Sequence, residues 1–152
     1  MTPPMVLHAG LIACRQKGSG VGGAWRGVLI EGPSGAGKSD LALRALQHGW
    51  RLVADDRTLL WACDGALYGR APDALAGLIE ARGIGVIREG SRGFARIALV
   101  ATLAESGGIE RLPEPDSVQH LGVSLPRVRL AGLEPSASAK LAQALRHLGL
   151  GS

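Results

Sequence analysis

Residues 32–39 read Gly-Pro-Ser-Gly-Ala-Gly-Lys-Ser, a complete G-x-x-x-x-G-K-S string, and no other stretch limits the fold as tightly. Such a loop wraps its backbone N–H groups around phosphate oxygens, which its glycines permit because they carry no Cβ. Lys38 then reaches the β/γ-phosphates, and the Ser39 hydroxyl ligates Mg²⁺. The motif works only between a strand and a helix. Here Gly27–Glu31 supplies an apolar run before it, and Asp40–Leu46 a helix-forming run after it. The N-terminus of that helix favours an anion. Both flanks are those of a phosphate-binding loop rather than of a chance glycine turn. Gly32, Pro33, Ser34, Gly35, Ala36, Gly37, Lys38 and Ser39 are therefore the candidate nucleotide-binding set.

At 152 residues the chain fits one domain, 1–152, on the usual scale of about 100–200 residues per domain. Aromatic residues are scarce, so Leu, Val, Ile and Ala must fill the core. The net charge is +4, carried mainly by arginine, and one of the few lysines is Lys38 itself. No basic run with interleaved aromatics is present, so the excess charge suits a triphosphate or an acidic protein partner better than nucleic acid. Cys14 and Cys63 lie in apolar stretches without metal-ligand spacing, and both are expected to be buried free thiols in a reducing compartment. No stretch has the form of a signal peptide, and none reaches the roughly 18 apolar residues of a membrane span. The expectation is a soluble cytoplasmic protein without a membrane partner.

The pattern along the chain predicts a first strand over Met5–Cys14, a Gly/Ser/Lys-rich loop over Arg15–Gly23, and the strand Trp25–Glu31. A helix over Lys38–His48 ends at Gly49, a natural C′ position. The strand Trp50–Ala54 follows and ends in Asp55-Asp56. Strands over Arg57–Ala62 and Ala66–Gly69 flank Asp64-Gly65, a hairpin turn signal. Ala71–Ala76 suits a helical turn, Ile84–Ile87 a short strand, and Phe94–Leu103 a longer one. Pro113–Asp116 reads as a loop and Val128–Leu130 as a strand. Ser136–Leu148 reads as a helix with Leu141, Ala144, Leu145 and Leu148 on one side. This order predicts an α/β domain with a twisted, mixed sheet.

Asp55 lies sixteen positions after Ser39, enough for one helix and one turn. The strand that carries Asp55-Asp56 therefore lies close to the loop. An acidic residue at the end of a neighbouring strand is where Mg²⁺ needs a ligand. A second aspartate beside it can accept a proton from an attacking hydroxyl. The sequence contains no asparagine, so the Asn-Lys-x-Asp motif of a GTPase is absent, and no arginine-rich lid of a nucleoside kinase is evident. Spacing alone leads to a small ATP-dependent phosphotransferase or ATPase.

The segments Gly32–Ser39 and His48-Gly49-Trp50-Arg51-Leu52-Val53-Ala54-Asp55-Asp56-Arg57 together resemble the HPr kinase/phosphorylase family, in its C-terminal catalytic domain. Members pair G-x-S-G-x-G-K-S with G-H-R-L-V-A-D-D, and this chain departs only by Trp50 in place of histidine. Leu78-Ile79-Glu80-Ala81-Arg82-Gly83-Ile84-Gly85-Val86-Ile87 is similar to the family's L-L-E-I-R-G-L-G-I-I. The resemblance implies a kinase-like fold of the phosphoenolpyruvate-carboxykinase kind around the phosphate loop. It implies an ATP- and Mg²⁺-dependent serine kinase acting on HPr, the phosphocarrier of the sugar phosphotransferase system, and a homo-oligomer, a hexamer in the family. Lys38 would neutralise phosphate charge, and Ser39, Asp55 and Glu80 would hold Mg²⁺. The Asp55-Asp56 pair would supply the base, with Asp56 favoured. Arg82 falls in the segment linked to both directions of catalysis. His8 resembles a family histidine upstream of the loop, with a structural histidine as the alternative. Arg111 resembles a family arginine able to stabilise the transition state, with a solvated surface arginine as the alternative.

Three departures carry information. The family's V-P-V-x-P-G-R-N loop, tied to phosphorolysis, is replaced by Ala131-Gly132-Leu133-Glu134-Pro135, and its F-G-A-G stretch is shortened to Arg88–Gly93. The family's N-terminal domain is not expected ahead of the matched segments. These point to a short-form kinase with weak or no phosphorylase activity. The competing readings are a small kinase or ATPase acting on another substrate and a nucleotide-binding regulatory module without transfer.

Overall fold

The strand that feeds the Gly32–Ser39 loop lies inside the main sheet, paired on both edges. In the computed structural model, which describes residues 3–16 and 24–149, eleven strands and two helices follow one another. They are β1 (Met5–Leu7), β2 (Gly10–Arg15), β3 (Trp25–Glu31), α1 (Lys38–Leu46), β4 (Arg51–Ala54), β5 (Thr58–Cys63), β6 (Ala66–Arg70), β7 (Leu78–Ala81), β8 (Gly85–Arg88), β9 (Ala95–Leu103), β10 (Asp116–His120), β11 (Val123–Leu130) and α2 (Ala137–Leu148). The main sheet runs β1-β5-β6-β9-β3-β2-β4. β3 is parallel to β9 and antiparallel to β2, so the sheet is mixed, as the pattern predicts. β9 is shared along its length: Ala95 and Arg96 pair with β6, and Val100–Leu103 pair with β11 in parallel.

Alternation along the strands divides the core in two. Ile12, Val28, Ile30, Leu52, Leu99 and Leu103 face α1 and α2, where Leu41, Ala45, Leu141 and Leu145 meet them. Leu11, Leu29, Val53, Leu60, Leu67, Ile97 and Val100 face the other way into a second core. Register shifts in the β3–β9 and β2–β4 ladders break strict alternation: Ile97 and Leu99, two apart, face opposite cores, and the consecutive Val53 and Ala54 face the same one. The β10–β11 hairpin packs on this second core through Val118, Leu121, Val123 and the buried Leu125. Asp116 and Arg127 pair across it at 2.9 Å, and the guanidinium holds the Asp116 carboxyl below its ordinary range.

Several expectations change. The strand expected over Met5–Cys14 is two strands, because the chain bends at His8–Ala9. The Ala9 N–H donates to the Leu7 carbonyl at 2.9 Å, and the buried Thr58 hydroxyl donates to the Ala9 carbonyl at 2.9 Å. β1 then pairs with β5, while β2 pairs with β3 and β4. α1 stops at Leu46, two residues early, and Gly49 takes a φ of 88° to turn the chain into β4. Residues 78–88 form a separate two-stranded ribbon, β7–β8, rather than leading into one strand. β10 is an unexpected strand, and its turn at Leu121-Gly122 has φ of 50° and 80°. Cys63 is exposed and Cys14 only partly buried, because the end of β5 lies at a hairpin rim, so the two thiols are not both buried. Most of the loop expected over Arg15–Gly23 lies outside the described residues. Among the described residues no helix is long and apolar enough to cross a membrane.

Candidate functional site

The glycine loop, residues 32–39, leaves the C-terminal end of β3 and enters α1 at Lys38. Gly35 and Gly37 have φ of 84° and 95°, a region that side chains other than glycine's rarely adopt. Gly37 is the N-cap of α1, and no side chain among the described residues caps that end. The first-turn N–H groups therefore keep their capacity for an external acceptor. The Lys38 ammonium folds back over the loop, donating to the Gly32 carbonyl at 2.5 Å and the Pro33 carbonyl at 3.0 Å.

Opposite the loop stands Asp55, at the end of β4 and nearly buried. The Ser39 hydroxyl donates to Asp55 Oδ1 at 2.7 Å, and the Glu80 backbone N–H donates to Oδ2 at 3.0 Å. The next residue, Asp56, has a φ of 67°, uncommon for a side chain other than glycine's. Its turn is closed by the Arg57 N–H on the Asp55 carbonyl at 2.7 Å. That turn sends Asp56 out of the sheet, where His8 Nε2 donates to its Oδ1 at 2.7 Å. Both partners are more than half exposed. The Thr58–Ala9 bond fixes the bend that presents His8. Among the described residues, Oδ2 of Asp56 has only a distant cation, Arg57 Nε at 3.9 Å.

A cavity of about 560 Å³ opens beside the loop between Pro33–Ala36, Ala104–Ser106 and Ala131–Pro135. Its volume is that of an ordinary small-ligand site. The 131–135 wall is held by Arg44 of α1, which donates to the carbonyls of Gly132 and Glu134 and to Asp40. A Cβ on Gly132 would meet Leu103 Cδ1 at 2.6 Å and the Ala36 carbonyl oxygen at 2.7 Å, so this wall touches the glycine loop closely.

The structure thus brings together Lys38, Ser39, Asp55, Asp56 and His8. Glu80 joins through its backbone, with its side chain exposed. Arg82 sits exposed at the β7–β8 turn, and Arg111 is exposed in the segment between Ser106–Gly108 and β10. Neither arginine is tied to the aspartates by an ion pair among the described residues. The oxygen set formed by the Ser39 hydroxyl and the Asp55 carboxylate has the chemistry Mg²⁺ prefers. The roles of Arg44 and of a pair between Glu31 and His120 were not evident in the sequence. Arg44 resembles an ordinary helix-surface partner of Asp40 four residues earlier, and nothing local marks the pair.

The features so far define a mixed α/β domain whose glycine loop faces a pair of consecutive aspartates. Residues 18–131 match the model of the HPr serine kinase C-terminal domain, and the chain belongs to that family. It is 38% identical over 116 residues to HPr kinase/phosphorylase of Enterococcus faecalis, covering 68% of this chain and 37% of that protein. It is 38% identical over 130 residues to HPr kinase/phosphorylase of Limosilactobacillus reuteri, covering 85% of this chain and 34% of that one. The chain therefore spans little more than a third of the length of these relatives. The solved Hpr(Ser) kinase/phosphatase of Coxiella burnetii shares the fold, with a TM-score of 0.77 at 23% identity, covering 93% of this chain and 94% of that one.

Proposed function

We propose that this domain is an ATP- and Mg²⁺-dependent protein serine kinase that phosphorylates a serine of an HPr-like phosphocarrier protein. The observation that carries the reading is the contact of Ser39 and Asp55 at 2.7 Å with Asp56 as the next residue. One carboxylate is committed to the loop, and its neighbour faces outward with an oxygen to spare. Family membership supports HPr as the acceptor, because the matched relatives are HPr kinase/phosphorylases.

In this reading the glycine loop N–H groups and Lys38 bind the triphosphate, and the cavity beside the loop takes the nucleoside. Lys38 exchanges the carbonyls of Gly32 and Pro33 for phosphate oxygens. Ser39, Asp55 and the Glu80 side chain would hold Mg²⁺, and the Glu80 backbone N–H fixes Asp55. Bound Mg²⁺ supplies charge neutralisation on the transferring group. Asp56 Oδ2 takes the proton from the acceptor serine hydroxyl. The serine oxygen forms its bond to the γ-phosphorus as the bond to the β–γ bridging oxygen breaks, and ADP leaves. His8 orients Asp56 through Oδ1 and stabilises its charge. Arg82 and Arg111 are proposed to reach the transferring group only once substrates are bound. The Ala131–Pro135 wall replaces the loop the family uses for phosphorolysis, so the reverse reaction is weak or absent.

Incubation with ATP, Mg²⁺ and an HPr-like protein from the same cell tests this. The acceptor gains the mass of one phosphoryl group on a serine, and the gain disappears in Lys38→Ala. Nucleotide turnover without any protein acceptor would instead favour a small-molecule kinase or ATPase, and binding without turnover a regulatory module.

A further inference from the structure

Glu31 is the last residue of β3, and the next residue, Gly32, opens the glycine loop. A carboxylate at that place is unfavourable for a loop that binds triphosphate. It would repel the phosphates, and it would compete for the Lys38 ammonium, which already reaches the Gly32 carbonyl. The structure shows how the carboxylate is occupied. His120 Nε2 donates to Glu31 Oε1 at 2.8 Å, and the two side chains are only 13% and 20% exposed. His120 ends β10, at the Leu121-Gly122 turn, so the tip of the β10–β11 hairpin reaches across the second core to the end of β3. Thr102 is opposite Glu31 in the β3–β9 ladder, yet its buried Oγ1 has no hydrogen-bond partner among the described residues. Arg129, opposite Thr102 on β11, is exposed and makes no ion pair with Glu31 among the described residues. His120 is thus the group that holds this carboxylate.

We propose that His120 is a positioning residue for nucleotide binding: it keeps the Glu31 carboxylate on the second-core face of the sheet, away from Lys38 and from the phosphates the glycine loop binds. The inference rests on the nucleotide-binding reading above and extends it to residues that touch no substrate. Removing His120 frees the carboxylate, and removing the carboxylate makes His120 dispensable. A like charge released at this range weakens MgATP about five- to ten-fold, and weakens MgADP less, because it carries one phosphate fewer.

The test is the dissociation constant of fluorescent ATP and ADP analogues with Mg²⁺, measured on wild type, His120→Ala, Glu31→Gln and the double variant, with thermal unfolding to confirm folding. His120→Ala weakens ATP about five-fold or more and ADP less. Glu31→Gln tightens ATP, and adding Glu31→Gln to His120→Ala restores affinity to at least the wild-type value. If His120→Ala does not fold, His120→Gln, which retains bulk and a donor, gives the same ordering with a smaller loss. Equal losses for ATP and ADP, or a double variant no better than His120→Ala, would overturn the proposal while leaving the nucleotide site intact. Failure of the wild type to bind either nucleotide sinks the functional reading, and this inference with it.

Discussion

Individual residues at this site are separated by their neighbours rather than by their chemistry. Asp55 and Asp56 are adjacent and identical in type. Asp55 is nearly buried, with one oxygen on Ser39 and the other on a backbone N–H, whereas Asp56 is turned out by a positive φ and meets His8. The spacing of Ser39 and Asp55 is legible in the sequence because one helix and one turn close it. His8 came only from resemblance, since it reaches Asp56 across 48 positions. The two cysteines are separated by their surroundings in the same way. Burial pushes the Cys14 thiol up from its ordinary value, so it holds less thiolate at a given pH. Cys63 is exposed. At mildly alkaline pH a thiol reagent followed by mass spectrometry therefore labels Cys63 first and Cys14 markedly more slowly. Equal labelling rates in the folded protein would contradict the burial.

At the scale of elements, the wall of residues 131–135 is the part most sensitive to a small change. Gly132→Ala places a methyl group against Leu103 and against backbone at Ala36, and the backbone cannot move without moving the glycine loop. The expected result is a loss of about 1–3 kcal/mol of stability in denaturant unfolding, with a several-fold rise in KM for MgATP. An unchanged KM would separate the wall from the nucleotide site. Strands and helices with strong periodicity were legible, as β3, β9 and α2 show. β10 was not, because Asp-Ser-Val-Gln-His is polar and follows two prolines, and its pairing is decided by the second core beneath it. The break at His8–Ala9 was not legible either, since it depends on Thr58, 49 positions away. The Arg44 clamp spans 88 positions and the Glu31–His120 pair 89, distances that no local pattern encodes.

Across the whole molecule, two cores flank one mixed sheet, and the glycine loop, Asp55-Asp56 and the 131–135 wall meet near the ends of β3, β4 and β11. The same arrangement presents the exposed β7–β8 ribbon, with Ile84 79% and Val86 67% exposed. Exposed apolar side chains of this size suit contact with another chain, which fits the proposed acceptor protein or the homo-oligomer that the family resemblance implies. The proposed replacement of the family's phosphorolysis loop predicts a directional enzyme. Inorganic phosphate added to seryl-phosphorylated acceptor should release it far more slowly than the forward reaction forms it, as read by acceptor mass over time. Comparable rates in both directions would show that the Ala131–Pro135 wall does not limit phosphorolysis.

The division of labour between the two aspartates is the centre of this account, and Asp56→Asn tests it most directly. Single-turnover transfer to the HPr-like acceptor and MgATP affinity are measured on the same preparation beside the wild type. The account predicts that transfer falls by about 100-fold or more, the scale of losing a general base, while MgATP affinity stays within about three-fold because Ser39 and Asp55 are untouched. Wild-type transfer in Asp56→Asn, or affinity that falls in step with transfer, would contradict it.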